Sequence, residues 1–170
     1  ADALATSERL NLARFECLQP RYNLLYRDIE TEVMPLCREK RIGIIAYNPI
    51  AGGLLSGKYR AGEVPQEGTR FTQGTAGPIY QARYWDDLQL AAVEDLSKAV
   101  SACGHALASV AVAWVLDQPG ITSAIVGASK PEQLDATLQG ADLKLDDELK
   151  ALCDAVWWNL PRKPVVDGYR

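Results

Sequence analysis

The stretch Ile42-Gly43-Ile44-Ile45-Ala46-Tyr47-Asn48-Pro49-Ile50-Ala51-Gly52-Gly53-Leu54-Leu55-Ser56-Gly57-Lys58-Tyr59 decides how this chain is read. Its first part, residues 42–46, is an Ile-rich apolar run preceded by Arg38, Lys40 and Arg41, the pattern of a buried strand in a parallel sheet. The run ends on an aromatic, Tyr47, and opens into a loop holding Gly52, Gly53 and Gly57. In α/β proteins ligands bind at that end of the strands, where loops present backbone N–H groups to anions. Two readings stand side by side: a cradle for an anionic cofactor, or an ordinary βα turn that needs glycine for its dihedrals.

Gly52-x-x-x-x-Gly57-Lys58 also matches most of the phosphate-binding loop of nucleotide triphosphatases. The residue after Lys58 is Tyr59, where that loop needs a Ser or Thr hydroxyl for magnesium, and no strand-end Asp supplies a second contact. The triphosphatase reading is rejected and kept only as the competing enzyme class.

Composition sets the wider limits. With 170 residues, 48% hydrophobic and 24% charged, the chain suits one globular domain burying roughly 70% of its unfolded surface. A net charge of −4 argues against a general nucleic-acid surface. No apolar run approaches the roughly 20 residues of a membrane span, and no secretory signal opens the chain, so a cytoplasmic protein without a membrane partner is expected. Cys17, Cys37, Cys103 and Cys153 have the spacing of neither a zinc site nor a redox pair; buried free thiols are expected. The chain opens at Ala1, and Met34 is its one methionine, which reads as a chain beginning partway through something longer.

Outward from the central strand, residues 2–10 read as a weak helix and 15–19 as a short strand stopped by Pro20. A helix capped by Asp28 follows, with Ile29, Val33, Leu36 and Cys37 on its apolar face. Residues 48–84 read as a long irregular loop, and loops of that length are usually functional or disordered. Helices are expected at 86–103, with Leu88, Ala92, Leu96 and Val100 facing the core, and at 106–116, with Leu107, Val110, Ala111 and Trp114. A third strand covers 124–126, Ser129-x-x-Glu132 reads as a capping box starting the next helix with Pro131 in its first turn, and a further helix covers 146–157. The tail with Pro161, Pro164 and Gly168 reads as extended. This alternation predicts an α/β fold with parallel strands, but three strands leave two open edges and one bare face.

Three segments together resemble the aldo-keto reductase family, in the subgroup of bacterial reductases and potassium-channel beta subunits. They are Gln19-Pro20-Arg21-Tyr22-Asn23-Leu24-Leu25, the strand and glycine loop quoted above, and Ala113-Trp114-Val115-Leu116 with Ile125-Val126-Gly127-Ala128-Ser129-Lys130-Pro131-Glu132-Gln133-Leu134. The resemblance covers nearly all of residues 1–170 but only the C-terminal half of a family member. It implies part of a (β/α)8 TIM barrel, strands 6–8 with their helices, in an NADPH-dependent enzyme that reduces small-molecule carbonyls.

By the same resemblance, Gln19 would hydrogen-bond the nicotinamide carboxamide and Tyr47 would stack on its ring. Asn48, Pro49, Ile50, Ala51, Gly52 and Gly53 would wrap the pyrophosphate with backbone N–H groups, with charge from Lys58 and Arg70. Gly127, Ser129 and Gln133 would lie at the adenosine end, Lys130 at the 2′-phosphate. Asn48 stands where the family usually has Ser, a change that preserves hydrogen bonding, and Ala136-Thr137 replaces a Glu-Asn pair that faces the adenine. The family's catalytic Asp, Tyr, Lys and His lie on earlier strands that this sequence does not contain. No metal site is expected.

Nothing local replaces them. His105 sits at a helix start and reads as a capping or surface residue; Tyr22 and Tyr26 lack a partnered Lys, and a tyrosine without one donates poorly at neutral pH. Asp146-Asp147-Glu148 reads as helix-start charge and Trp157-Trp158 as packing. The expectation is therefore a cofactor-binding part without catalytic residues, inactive alone. Its open edges would be covered by the missing N-terminal half or by another chain. The alternative is a non-catalytic NADPH-binding or regulatory half-barrel that self-associates or pairs with another chain.

Overall fold

A computed structural model describes residues 1–162; Pro164 and Gly168 of the expected extended tail lie outside the described residues. Helix α1 (Asp2–Arg9) opens the chain. Strands β1 (Cys17–Leu18), β2 (Gly43–Tyr47) and β3 (Ile121–Ile125) form one sheet in the order β1-β2-β3, both pairs parallel. Helix α2 (Val33–Glu39) joins β1 to β2, and α3 (Gly77–Tyr84), α4 (Asp87–Ala102) and α5 (Leu107–Asp117) join β2 to β3. Helices α6 (Pro131–Leu138) and α7 (Asp147–Asn159) follow. The α/β class with parallel strands is as expected.

One face of the sheet is packed and the other is open. Ile44 and Ala46 are fully buried against the helices, whereas Ile45 and Tyr47 on the opposite face are half-buried. In register with them lie Ser123 and Ile125, both exposed. Helix α5 runs behind the packed face with Ser109 through Val115 buried without interruption, the pattern of a helix enclosed on all sides. Around it the segment after β1 is bolted to α7. Tyr22 stacks on Trp114 at 5.4 Å, and the Trp114 indole N–H donates to Asp154 at 3.2 Å. Buried Arg27 donates to both Glu30 and Asp154. Burial opposes the Arg27 charge, but these two carboxylates outweigh it and hold its pKa above the ordinary value.

Several expectations are corrected. The strand over 15–19 shrinks to two paired residues, with Phe15 57% exposed, because β1 is an edge with nothing beyond it. The helix from Asp28 breaks into a 3-10 turn, Asp28–Glu30, and α2. Pro35 is the cause: its ring clashes with the carbonyl four residues back, so the helix must start late enough to place it in the first turn. The third strand begins earlier, at Ile121, and stops before Val126; Thr122 Oγ1 accepts the Ile44 N–H at 3.2 Å where the ladder slips.

The long loop is largely structured. It contains α3 and an aromatic cluster in which Phe71 meets Trp85 at 4.7 Å and Tyr59 meets Trp85 at 4.9 Å. On α4, Leu88 is 62% exposed, and the buried positions are Gln89, Leu90, Val93, Leu96 and Val100. A strict i+4 row drifts off the core-facing stripe of a 3.6-residue helix, and Leu88 is where it has drifted furthest. The expected capping box is displaced: Pro131 leaves Lys130 extended as the N-cap, and Ser129 bonds Gln133 instead of Glu132. Of the four free cysteines only Cys37 and Cys153 are buried, Cys153 with its pKa pushed up to about 12 by that burial; Cys17 and Cys103 are exposed. Among the described residues no single helix is long and apolar enough to cross a membrane.

Candidate functional site

Parallel strands bring their C-terminal ends to one edge, and the sequence-derived site residues gather there. The Tyr47 N–H donates to the Pro20 carbonyl at 2.9 Å and the Tyr22 N–H donates to the Tyr47 carbonyl at 3.2 Å. Pro20 has no N–H of its own, so the pairing passes around it and resumes as a parallel bridge between Arg21 and Tyr47. In this register Gln19 is level with Ile45, two residues before Tyr47. On the other side Tyr47 is in register with Ile125, two residues before Gly127. The Tyr47 side chain lies on the open face of the sheet, half-buried and accessible.

The chain turns sharply after Tyr47. Asn48 (φ 66°), Ala51 (φ 51°), Gly52 (φ 69°) and Gly53 (φ 99°) all occupy the left-handed region. Two of these are glycine for different reasons. A Cβ on Gly52 would sit 2.5 Å from the Tyr80 ring, so the position is closed by packing. A Cβ on Gly53 would meet nothing within 4 Å, so there glycine answers to the positive φ and not to packing.

The expected ring of free N–H donors is altered. The Ala51 N–H donates to Asn48 O at 3.0 Å, the Gly53 N–H to Ile50 O at 2.9 Å and the Leu55 N–H to Ile50 O at 3.2 Å. The Gly52 N–H donates to Asn48 Oδ1 at 2.7 Å. Pro49 is buried and Ile50 half-buried beneath the turn. An anion seated here would share donors that already have acceptors.

Charge lies around the turn. Arg70 is exposed, with its guanidinium 5.6 Å from the Tyr80 ring centroid and its Cγ 3.5 Å from the β-position of Gly52. Lys58 is exposed and rests 4.8 Å over the Tyr59 ring. At the β3 end, Gly127, Ser129, Lys130 and Gln133 are all exposed. Gln133 Oε1 accepts from the Ser129 N–H at 3.1 Å and from its hydroxyl at 3.0 Å. Thr137, in the adenine-facing stretch by resemblance, is buried and donates to the Gln133 carbonyl at 2.6 Å.

Two residues that sequence reasoning missed stand directly behind the turn. Asn23 is fully buried and donates from Nδ2 to the Asn48 carbonyl and to the Tyr84 hydroxyl, each at 3.0 Å. Tyr84 also accepts from Asn48 Nδ2 at 3.1 Å. Burial raises the Tyr84 pKa above its ordinary value, although Arg21 beside it works the other way. The one sequence signal was a polar Asn23 inside an apolar run; Tyr84 lay in what read as loop.

The rejected acids stay rejected. Tyr22 is fully buried and donates to Glu30, and burial with that bond holds its pKa well above the usual tyrosine value. The Tyr26 ring is covered by Arg21, whose guanidinium carbon is 3.5 Å from its centroid. His105 is half-buried between α4 and α5. Asp146 caps α7, accepting from the Leu149 N–H at 2.8 Å, with Asp147 and Glu148 in the first turn as expected. Among the described residues no three His, Cys, Asp or Glu side chains converge as metal ligands. Trp158 is exposed at the end of α7, with Arg162 stacked on neighbouring Trp157 at 3.7 Å.

Comparison with known proteins matches residues 3–157 to the model of the Aldo/keto reductase family. An uncharacterized oxidoreductase, YrpG, of Bacillus subtilis is 36% identical over 91% of this chain and 44% of its own length. A probable voltage-gated potassium channel subunit beta of Arabidopsis thaliana is 32% identical over 84% of this chain and 43% of its own. Human aldo-keto reductase family 7 member A3 is 33% identical over 73% of this chain and 41% of its own. The chain spans about half the length of the curated relatives it matches.

Proposed function

The chain belongs to the aldo/keto reductase family, and because its relatives include oxidoreductases we propose that it supplies the cofactor-binding part of an NADPH-dependent carbonyl reductase. The observation that carries this reading is the pairing of residues 20–22 with Tyr47 just ahead of the glycine turn, at one edge of a parallel sheet, with Tyr47 on its open face. The residues suit a dinucleotide. Gly53 and Gly127 have open β-positions for close approach, and exposed Lys58, Arg70 and Lys130 carry the charge that phosphates need.

The bound cofactor would supply a hydride to the carbonyl carbon of a small-molecule substrate. Tyr47 offers a flat ring on which a nicotinamide stacks, and Gln19 a carboxamide to hydrogen-bond it. Arg70 and the turn 48–53 neutralise and seat the pyrophosphate. Ser129 and Gln133 flank the adenosine end and Lys130 favours a 2′-phosphate, hence NADP over NAD. In this reading the three strands are the sixth to eighth of a barrel, and a tyrosine outside this chain gives the proton. The 170-residue chain alone is then inactive, and turnover by the purified chain would refute that point. Its unpaired cysteines suit a reducing cytoplasm.

The second reading, a non-catalytic NADPH-binding or regulatory half-barrel, is favoured by the open face carrying Ile45, Tyr47 and Ile125 and by relatives named as channel subunits. Covering that face needs either the N-terminal half or another chain. Titration of the purified chain with NADPH, read by cofactor fluorescence, tests both. Saturable binding is expected; its absence at confirmed intact mass removes the cofactor role from this chain. Binding together with a defined oligomer and no reductase activity selects the second reading, and binding of ATP with magnesium would revive the triphosphatase one.

A further inference from the structure

Asn23 and Tyr84 are buried and have no role in the reading above, yet both are bonded to the half-buried Asn48 of the turn, and the geometry is specific. The Asn48 carboxamide is used at both ends: Oδ1 accepts the Gly52 N–H at 2.7 Å while Nδ2 donates to Tyr84 at 3.1 Å. Its orientation follows from the Gly52 N–H, which can only donate and so takes the amide oxygen, leaving the amide nitrogen to donate to the phenol. Asn23 is fixed in the same way, with Oδ1 accepting the Leu25 N–H at 2.9 Å and Nδ2 reaching Tyr84 and the Asn48 carbonyl. Two carboxamides therefore converge on one phenol oxygen at the end of α3, with the left-handed Asn48 backbone between them. Asn is the non-glycine residue best suited to that backbone region.

We propose that Asn48 is a positioning residue for the cofactor turn: its carboxamide, anchored on Tyr84, fixes the Gly52–Gly53 turn and so sets that turn's affinity for the cofactor pyrophosphate. The claim rests on the NADPH reading for its ligand. The brace makes the turn rigid before binding, so less ordering is lost when an anion settles on it. It also withdraws the Gly52 N–H from the anion, leaving close approach over the open β-position of Gly53 and the Arg70 charge to decide affinity. A serine hydroxyl, shorter by one bond, does not span the gap that the two ends of this carboxamide bridge. The difference between Asn and Ser at this position is therefore a difference in how the turn is held.

The experiment uses the full chain and two readouts: amide hydrogen exchange at Gly52 and NADPH titration. Asn48→Ala should speed Gly52 exchange and raise the NADPH Kd, each about five- to tenfold, the scale of one lost hydrogen bond. Asn48→Asp keeps an acceptor for Gly52 and should preserve its protection. Its carboxylate should nevertheless weaken NADPH at least as much as Asn48→Ala, an effect that a merely structural residue would not produce. Tyr84→Phe should loosen Gly52 by a smaller factor; should that variant fail to fold, the two Asn48 variants still decide. Unchanged Gly52 exchange in Asn48→Ala overturns the brace, and faster exchange with unchanged Kd overturns its link to affinity. Wild type that binds no NADPH overturns the functional reading and the affinity claim with it, and Gly52 exchange then decides the brace alone.

Discussion

The end of β2 and the end of β3 belong to the same edge of the same sheet and are built in opposite ways. After β2 the chain passes into a turn whose carbonyls, N–H groups and side chains are tied to Asn23, Tyr84 and one another, with Tyr84 1% exposed. After β3, residues 127–130 are all exposed, and the bonds from Ser129 to Gln133 are their main tether. One end has its shape set by the folded core; the other is held locally. A ligand spanning both would find the first end ready and would have to order the second; under the proposed function β2 would then contribute affinity and β3 selectivity at little cost in stability.

The sharpest way to break this contrast is at Gly52. Gly52→Val puts a branched side chain at φ 69° and 2.5 Å from the Tyr80 ring. A loss of about 3 kcal/mol in denaturant unfolding and complete loss of NADPH binding are expected. The equivalent change at Gly127, where a Cβ meets nothing within 4 Å, should leave unfolding almost unchanged.

Tyr47→Ala should raise the NADPH Kd about tenfold by removing a stacking surface. Stability should move far less, because the ring is half-buried on the open face. Equal losses of affinity and stability would mean that Tyr47 is packing, not platform.

Alkaline titration offers a third comparison. Burial raises the pKa of Tyr84 in the folded state, so its contribution is intact below the unfolded tyrosine value of about 10 and is lost as pH rises through the folded one. Tyr22 titrates in the same sense. Stability should therefore fall above about pH 10, with amides near Gly52 losing protection before those at the β3 end. Tyr84→Phe should flatten part of that fall.

The smallest effect belongs to Lys130→Ala. This exposed N-cap makes no side-chain capping bond, so unfolding should not change. NADPH affinity should drop about threefold while NADH affinity holds, and added salt should erase the difference. An equal drop for both cofactors would remove Lys130 from the 2′-phosphate.

What could be read from the sequence follows the range of the forces involved. Asp86 and Asp146 cap α4 and α7 as short-range patterns suggest, and the Ile-rich run is the central strand. Pro35 was visible, but its effect on where α2 begins depends on a clash one turn away. Helix α3 was hidden by Gly77-Pro78, which read as a break and instead forms its start. The expected site residues on the strand ends came from the family resemblance, while Asn23 and Tyr84, 61 positions apart, meet only through the tertiary fold. Their pairing has no local signature. Helix α6 was legible after Ser129, yet its cap moved by one residue because Pro131 restrains Lys130.

Helix α5 sets a limit on how far this chain can be trimmed. It is enclosed along its length, and α7 helps to close that enclosure, with Asp154 accepting from both Trp114 and Arg27. Cutting the chain before Cys153 would strip this cover, leaving Trp114 facing water and Arg27 with half its partners. Any shorter version must therefore keep the last helix, and the sheet edge that carries Tyr47 and the glycine turn depends on a segment that never approaches it in sequence.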